Sequence, residues 1–419
     1  MASRCLIMAL AVALLGAGCG QDFAPPSLIN KLRIIGAKAT PPEIRVTETS
    51  NLSLLIVGTA PEQPLCYAWA FCPFAWSKDG NFQCIDPDVQ VDLGTGATAT
   101  VGIFHVVQAL QNASKVFDKL GLKPPTGART ARQKPDLGCM PGGKAPAENG
   151  PGGGSFGSAD ISDMYILFAV AEPKVFGGTC PATSAAFLAK PCLDREHCLA
   201  GYKRMAIATP GGACAPFDAT ADLPCASDPN VCAQNVVCGC DGNNYANDCA
   251  RIAAKVSKNH AGRCQSANEN PNLQGIGLRL AATDTAKALE KGVDWPASVT
   301  PVVAEGTALQ LWPRFDPKDK QVVGPSQDAK STKPETESLV FSWYADAGSI
   351  AKERSYDDVA DSGWTAPVLT AGKTGQLVTL WLVVRDGRNG TDWLQRTVRV
   401  EKGAVLKANP LCAAGVTCP

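Results

Sequence analysis

Cysteine is the residue that most limits what this chain can become. Its 419 residues include 18 cysteines, and they fall in groups. Eight lie between Cys66 and Cys214, six between Cys225 and Cys264, and Cys412 and Cys418 pair off near the C-terminus. Cys5 and Cys19 stand apart, within the first twenty residues. An even count in each later group reads as a disulfide framework, provided the chain leaves the reducing cytoplasm. Sequence alone leaves the connectivity within 66–214 open. Zinc is the competing use, because Cys238-Gly-Cys240 and the Cys192, His197, Cys198 cluster have ligand chemistry. An oxidising compartment and the lack of paired C-x-x-C knuckles argue against it, so neither a metal nor another cofactor is expected.

The N-terminus supplies the export. Arg4 precedes an apolar run from Leu6 to Gly18, followed by Cys19-Gly-Gln-Asp. A charge, a short hydrophobic core and small residues before a cleavage point are the parts of a secretory signal. The run is too short to span a bilayer, which takes roughly 20 residues. Gly16-Ala-Gly18 before Cys19 resembles the lipobox of bacterial lipoproteins, although Leu15 stands one place upstream of that family's usual leucine. The resemblance implies removal of a signal peptide at 1–18, lipidation of Cys19 and a tether at 19–28. The membrane partner is then reached through lipid alone. Gly20, where an Asp would retain the protein elsewhere, implies an outer-membrane position in the cell envelope, with secretion or the periplasm as the alternative.

Charge excludes one class of partner. With 39 basic and 39 acidic residues, no global field recruits nucleic acid. Histidine occurs only at His105, His197 and His260, which limits imidazole catalysis and histidine-rich metal sites.

The same series of strand-like segments appears twice. The first runs Leu32–Gly36, Asn51–Val57, Tyr67–Trp69, Tyr165–Val170 and Tyr202–Ile207. The second answers with Ile276–Leu280, Thr307–Trp312, Phe341–Trp343, Leu377–Val384 and Leu394–Val400. Short β-branched and aromatic runs between Pro, Gly, Asp and Asn clusters are strand-and-turn chemistry. Arg385-Asp-Gly-Arg-Asn-Gly390 suits a hairpin, because Asp-Gly and Asn-Gly accept positive φ. Several strands around one tryptophan resemble bacterial immunoglobulin-like or PKD-like β-sandwiches, over most of 29–215 and 270–403. The resemblance implies a mainly β fold with Trp69 and Trp343 buried at its two centres. The second copy, at 266–403, has no cysteine and must rely on burial alone. The first, at 29–215, carries an insert. Ile103, Val106, Val107, Leu110, Val116, Phe117 and Leu120 recur at helical spacing, which predicts a docked amphipathic helix stopped by Pro124-Pro125. A Gly-, Pro- and Ala-rich loop from Met140 to Ser158 follows.

Between the copies, Cys232-Ala-Gln-Asn-Val-Val-Cys238-Gly-Cys240 leads to Tyr245, Asn247 and Cys249, then to an alanine-rich stretch and Cys264. This segment, 216–265, resembles the Kazal domain of serine protease inhibitors and follistatin-like binding modules. About 40 residues cannot hold themselves together by a core, and cross-links of roughly 2–4 kcal/mol each supply the difference. The resemblance implies Cys232–Cys249 and Cys238–Cys264; the family's helix cysteine is missing here, and Cys240, in place of the family's usual Ser, is taken as the partner of Cys225. The resemblance makes Ala233, Gln234, Asn235, Val236 and Val237 the binding loop, with Gln234 as specificity residue and Asn247 as the spacer behind it. The loop is five residues where seven are usual, and Gln suits common trypsin- or chymotrypsin-like enzymes poorly.

Enzyme signals are weak. Gly153-Gly-Ser155-Phe-Gly157 matches a nucleophile elbow, but it lies in a glycine-rich stretch without the strand and helix that strain the serine. Asp386, Asn389 and Asp392 could bind calcium at a loop tip, though a hairpin turn accounts for them. Asp316, Lys318, Asp319 and Lys320 read as a solvated loop. The expectation is a noncatalytic envelope lipoprotein that binds or scaffolds an envelope or extracellular protein. The alternative is a lipid-tethered inhibitor whose partner is a serine protease. A tail at 404–419 closes with a Cys412–Cys418 loop.

Overall fold

The computed structural model describes residues 25–44, 48–58, 64–73, 75–78, 81–84, 86–119, 163–190, 192, 196–207, 237–239, 243–261, 268–281, 292–317, 320–323, 335–357, 359–404 and 409–416. The protein is mainly β, with several separate sheets.

The first unit opens with β1 (Arg33–Thr40), β2 (Glu43–Ile44), β3 (Thr49–Val57) and β4 (Cys66–Cys72). A hairpin of β5 (Ala75–Lys78) and β6 (Asn81–Cys84) leads to β7 (Val91–Gly94), β8 (Thr98–Gly102) and helix α1 (Ile103–Lys119). β9 (Asp163–Ala171), the short helix α2 (Ser184–Leu188) and β10 (Cys198–Ile207) complete it. Two sheets result, ordered β1-β3-β8 and β2-β10-β9-β4-β7. Pro41 and Pro42 separate β1 from β2; without backbone N–H groups they end the first ladder and let the chain cross to the other sheet. Leu52 and Val101 from one sheet meet Trp69, Phe71, Ile166 and Met205 from the other in a shared core.

Three strands follow in a small module, β11 (Val237–Gly239), β12 (Asn244–Tyr245) and β13 (Lys258–Ala261), in the order β12-β11-β13, with helix α3 (Asp248–Ala253) between the last two in sequence.

The second unit begins with β14 (Gly275–Leu280), β15 (Val293–Trp295), β16 (Val302–Ala304), β17 (Ala308–Arg314) and a small β18 (Val322–Val323), β19 (Glu335–Thr336) hairpin. It continues through β20 (Val340–Ala345), β21 (Ser349–Ile350), β22 (Arg354–Tyr356), β23 (Ser362–Thr365), β24 (Gly375–Arg385) and β25 (Thr391–Glu401). Its sheets are ordered β15-β14-β17-β23-β21 and β16-β25-β24-β20-β22. They face each other across a single core that includes Leu278, Leu311 and Trp364 from one sheet and Phe341, Trp343, Leu382 and Val400 from the other.

The internal repeat extends to strand pairing. β2 runs parallel to β10, and β16 parallel to β25. β4 lies beside β9, and β20 beside β24. Trp69 and Trp343 occupy the matching strands, each only 1% exposed. Buried indole N–H groups need acceptors: Trp69 Nε1 donates to Gly96 O at 2.9 Å, and Trp343 Nε1 to Ser355 Oγ at 3.0 Å.

The insert helix forms where helical spacing predicts it. Val106, Ala109, Ala113 and Val116 make its buried stripe, with Ile103 and Leu110 partly buried beside it; Val107, expected in the stripe, is exposed, as is Phe104. Leu120, Pro124-Pro125 and the Met140–Ser158 stretch lie outside the described residues. The helix shields the back of the β4 sheet together with α2 and three disulfides: Cys66–Cys180, Cys72–Cys84 and Cys192–Cys198. The last of these joins two of the candidate zinc ligands to each other.

Among the described residues, the segments nearest both termini are tied into the second unit. Ile29 N donates to Ala345 O at 2.8 Å, and Ala345 N to Ser27 O at 3.0 Å. Helix α4 (Pro410–Ala413) seats Leu411 in the second core, fully buried. Asn409 Nδ2 donates to Leu278 O at 3.0 Å. The tail is therefore docked as far as it is described; Cys412 is disulfide-bonded, and Cys418 lies outside the described residues.

Candidate functional site

The run Leu380–Val384 is apolar without alternation and buried throughout, the pattern of a strand covered on both faces. Val378, Leu380, Leu382 and Val384 fill the second unit's own core. Trp381 and Val383 point the other way and pack on Ile29, Ile35 and Val57, with Tyr344 and Trp393 beside them. This is a seam between the two units. Gly36 is placed where a Cβ would come 3.1 Å from the Trp393 ring, so even a methyl there would displace the ring by a few tenths of an ångström.

Polar groups border the apolar patch. Lys38 Nζ lies 2.8 Å from Asp392 Oδ1. Arg385 Nη2 donates to Ile35 O at 2.7 Å. Two asparagines entering the second unit link it back to the first. Asn268 N donates to Glu43 Oε2 and its Nδ2 to Arg388 O, both at 2.8 Å. Asn270 Nδ2 donates to Ala39 O at 2.7 Å, while its Oδ1 accepts from Thr391 N at 2.8 Å.

A crevice of about 300 Å³ opens along this seam. Ile34, Phe168 and Tyr202 form its apolar wall, and Lys203, Arg385 and the 387–391 turn line the rest. The turn has fixed geometry. Asp386 Oδ1 accepts from Arg388 N at 2.7 Å and Gly390 N at 2.8 Å, and Gly387 and Asn389 take positive φ of 75° and 83°. That arrangement presents Asn389 O and Thr391 Oγ1 to the Lys203 amine, the latter at 3.0 Å. Lys203 is 8% exposed. Burial pushes its amine down from the usual lysine range to about 8; the Asp386 charge opposes the shift and the Arg385 charge adds to it.

The residues considered for calcium do not converge. Asp386 and Asn389 share the turn, whereas Asp392 pairs with Lys38 and accepts from Leu273 N at 3.1 Å. The stretch around Lys320 also differs from the solvated loop expected. Lys320 bonds to Asp357 with both side chains mostly covered, and Gln321 N donates to Glu337 Oε1 at 2.9 Å. Burial, foremost, pushes the Glu337 carboxyl up. Asp316 lies in the described chain just before this stretch; Lys318 and Asp319 lie outside the described residues.

In the middle module, Asn247 is the N-cap of α3, its side chain accepting from Ala250 N at 2.9 Å. Arg251 is buried against Asp248, 2.6 Å away. Cys238 and Cys249 are disulfide-bonded. The cysteines expected opposite them, Cys264 and Cys232, lie outside the described residues, as do Cys225 and Cys240. Val237, placed at the end of the binding loop by resemblance, is the first residue of β11 and only 2% exposed. Ala233, Gln234, Asn235 and Val236 lie outside the described residues, as do Cys19 and the Gly153–Gly157 motif.

The crevice residues were not singled out by motif. Lys203 did leave a signal: in β10 it shares the strand face of Gly201 and Met205, the parity that points inward. A lysine there has to find acceptors.

No known protein family and no curated protein matches the chain. Among solved structures, it is similar in part to a nucleoside hydrolase-related hypothetical protein from Saccharophagus degradans that is associated with carbohydrate metabolism. The match covers 32% of this chain and 26% of that one, at 14% identity and a TM-score of 0.18. The chain thus spans about a quarter of that protein's length, and an overlap so slight carries no argument about fold or function.

Proposed function

We propose that this protein is a noncatalytic, lipid-anchored component of the bacterial cell envelope that binds or scaffolds an envelope or extracellular protein. Both large units are read as immunoglobulin-like sandwiches, supported by facing sheets, a short early strand parallel to the last one, and a tryptophan at each centre. The observation that carries the functional reading is the seam. Bulky side chains and cross-unit hydrogen bonds hold two β units as one block, as a platform requires. The chain is fixed at Ser27, whose Oγ donates to Glu353 Oε1 at 3.0 Å. A lipid on Cys19 would then hold the joint within about 28 Å of the bilayer, the extended reach of the intervening residues. In this reading Cys19→Ala releases the protein from the membrane fraction and abolishes incorporation of a labelled fatty acid. Retention of label in that variant would overturn the anchor. Cross-linking on intact cells should then recover one dominant protein partner.

A second reading rests on the middle module. Three short antiparallel strands, a helix capped by Asn247 and bonded cysteines at 238 and 249 support a Kazal-like fold, and with it a lipid-tethered serine protease inhibitor. Titrating trypsin-, chymotrypsin- and elastase-like enzymes with the intact protein separates the two. Stoichiometric nanomolar inhibition would replace the scaffold with an inhibitor; unaffected proteases leave the module as a stapled structural or partner-binding element.

A further inference from the structure

We propose that the seam crevice binds a small organic monoanion, a carboxylate carried on an apolar or ring-shaped body, held between Lys203 and Arg385. Both cations line the same crevice, and among the described residues neither has a carboxylate at ion-pair distance. The hydrogen bonds they make leave donors over. Lys203 Nζ bonds to Asn389 O and Thr391 Oγ1, two of the three N–H groups a charged amine offers. Arg385 uses Nη1 on Ser342 Oγ at 3.3 Å and Nη2 on Ile35 O at 2.7 Å, leaving several of its five.

Charge sets the ligand's valence. Asp386 is the acid whose charge acts on Lys203, and its Oδ1 is engaged by the turn's own N–H groups. Two cations against one fixed carboxylate leave a single positive charge, which matches a carboxylate and not a dianionic phosphate. The wall sets the body. Ile34, Phe168 and Tyr202 give an apolar surface beside the cations. At about 300 Å³ the crevice stands at the small end of ligand sites. Between-unit crevices are also where such sites concentrate.

The charged and titratable groups around Lys203 are Arg385 at the end of β24, Asp386 and Arg388 on the turn, with Arg388 3.8 Å from Glu43, Tyr202 and Arg204 on its own strand, and the Lys38–Asp392 pair across the seam. An anion in the crevice stabilises the protonated amine, so binding and protonation are linked.

The test is calorimetric titration of the intact, detergent-solubilised protein with benzoate, its neutral analogue benzamide, and inorganic phosphate. Benzoate should bind and benzamide should not. Benzoate affinity should fall about tenfold for each pH unit above about 8, as the amine loses its proton. Lysine-detected NMR should show the Lys203 titration move upward when benzoate is present, a readout in the unmodified protein that needs no variant. Arg385→Gln should weaken benzoate at least tenfold. Equal responses to benzoate and benzamide, a pH-independent affinity, or tighter binding of phosphate would each overturn the proposal. None of those outcomes would touch the scaffold reading, which rests on the seam and the anchor.

Discussion

The two β units cover the same sheet in opposite ways. In the first, the back of the β4 strand presents Cys66, Ala68, Ala70 and Cys72, and what covers it belongs to the same unit: α1, α2 and disulfide-bonded loops. In the second, the back of the corresponding sheet presents Tyr344, Trp381, Val383 and Trp393, and what covers it is the first unit. Alanines and half-cystines remove little apolar area from water, whereas a tryptophan buries 150–250 Å². Small side chains therefore need covalent closure over them. Large ones hold a neighbouring domain by burial. The cysteine-free copy has one continuous core, while the first unit's buried residues divide into several smaller clusters.

Opening the long disulfide breaks the comparison hardest. Cys66 and Cys180 are 114 residues apart, and closing a loop of that length is worth about 4–5 kcal/mol in the unfolded-chain account. The double variant Cys66→Ala/Cys180→Ala should split the single calorimetric transition of the intact protein, the first unit melting roughly 10 °C lower. The second unit should then melt in a separate, later step. A loss of both together would mean that the staples support the whole block.

Trp381→Ala attacks the other form of cover. At 7% exposed, this side chain is close to a core residue, and its truncation should cost about 3–4 kcal/mol. The loss falls on the seam, so calorimetry should resolve two separated transitions and small-angle scattering a larger radius of gyration. A single transition with an unchanged radius would show that the polar border holds the units by itself.

Much of this contrast was legible in the sequence, and the missing parts have physical causes. The unbroken apolar run Leu380–Val384 carries the pattern of a strand buried on both sides, and the stripe from Val106 to Val116 announces a docked helix. What such a pattern cannot name is the surface on the other side. That the first unit covers Trp381 depends on β1 and β3, hundreds of residues away. Disulfide partners were hidden for the same reason: Cys66, at the start of β4, meets Cys180 because the connection after the adjacent β9 returns to it, not because of spacing. Leu411 escaped notice because a single leucine in an Ala-, Gly- and Pro-containing tail has no periodicity. In the crevice, Lys203 was visible as a cation on the inward parity of a strand. Arg385 looked like an ordinary hairpin residue, and only the packing of one unit on the other turns it toward Lys203.

Lys203 also puts a pH signature on the seam. Its folded-state value, about 8, lies below the ordinary lysine value of 10.5. Between these limits the unfolded chain binds a proton that the folded chain does not, so this group makes stability rise with pH across that window. The full gain is about 3 kcal/mol, complete only above the unfolded value. Denaturant titrations at pH 7, 9 and 10 should show a rise that Lys203→Met lacks. Parallel profiles for the two proteins would place the amine in solvent and remove it from the seam.

The smallest effect separates the two components of the seam. Lys38 and Asp392 are 2.8 Å apart, with side chains 25% and 19% exposed. Solvent screens such a pair, and the ordering of a long lysine side chain offsets part of its attraction, so it should contribute less than about 1 kcal/mol. The lysine stem lies beside Trp393, its Nζ 5.8 Å from the ring centroid, and Lys38→Met preserves most of that apolar contact. The variant should leave a single unfolding transition and shift its midpoint by no more than a few degrees. Asp392 keeps its bond from Leu273 N at 3.1 Å, so the carboxylate is not stranded when the lysine goes. If Lys38→Met instead split the transition as Trp381→Ala is expected to, the units would be joined by charge and not by aromatic burial. The contrast between a stapled first unit and a buried second one would then fail at the place where the two meet.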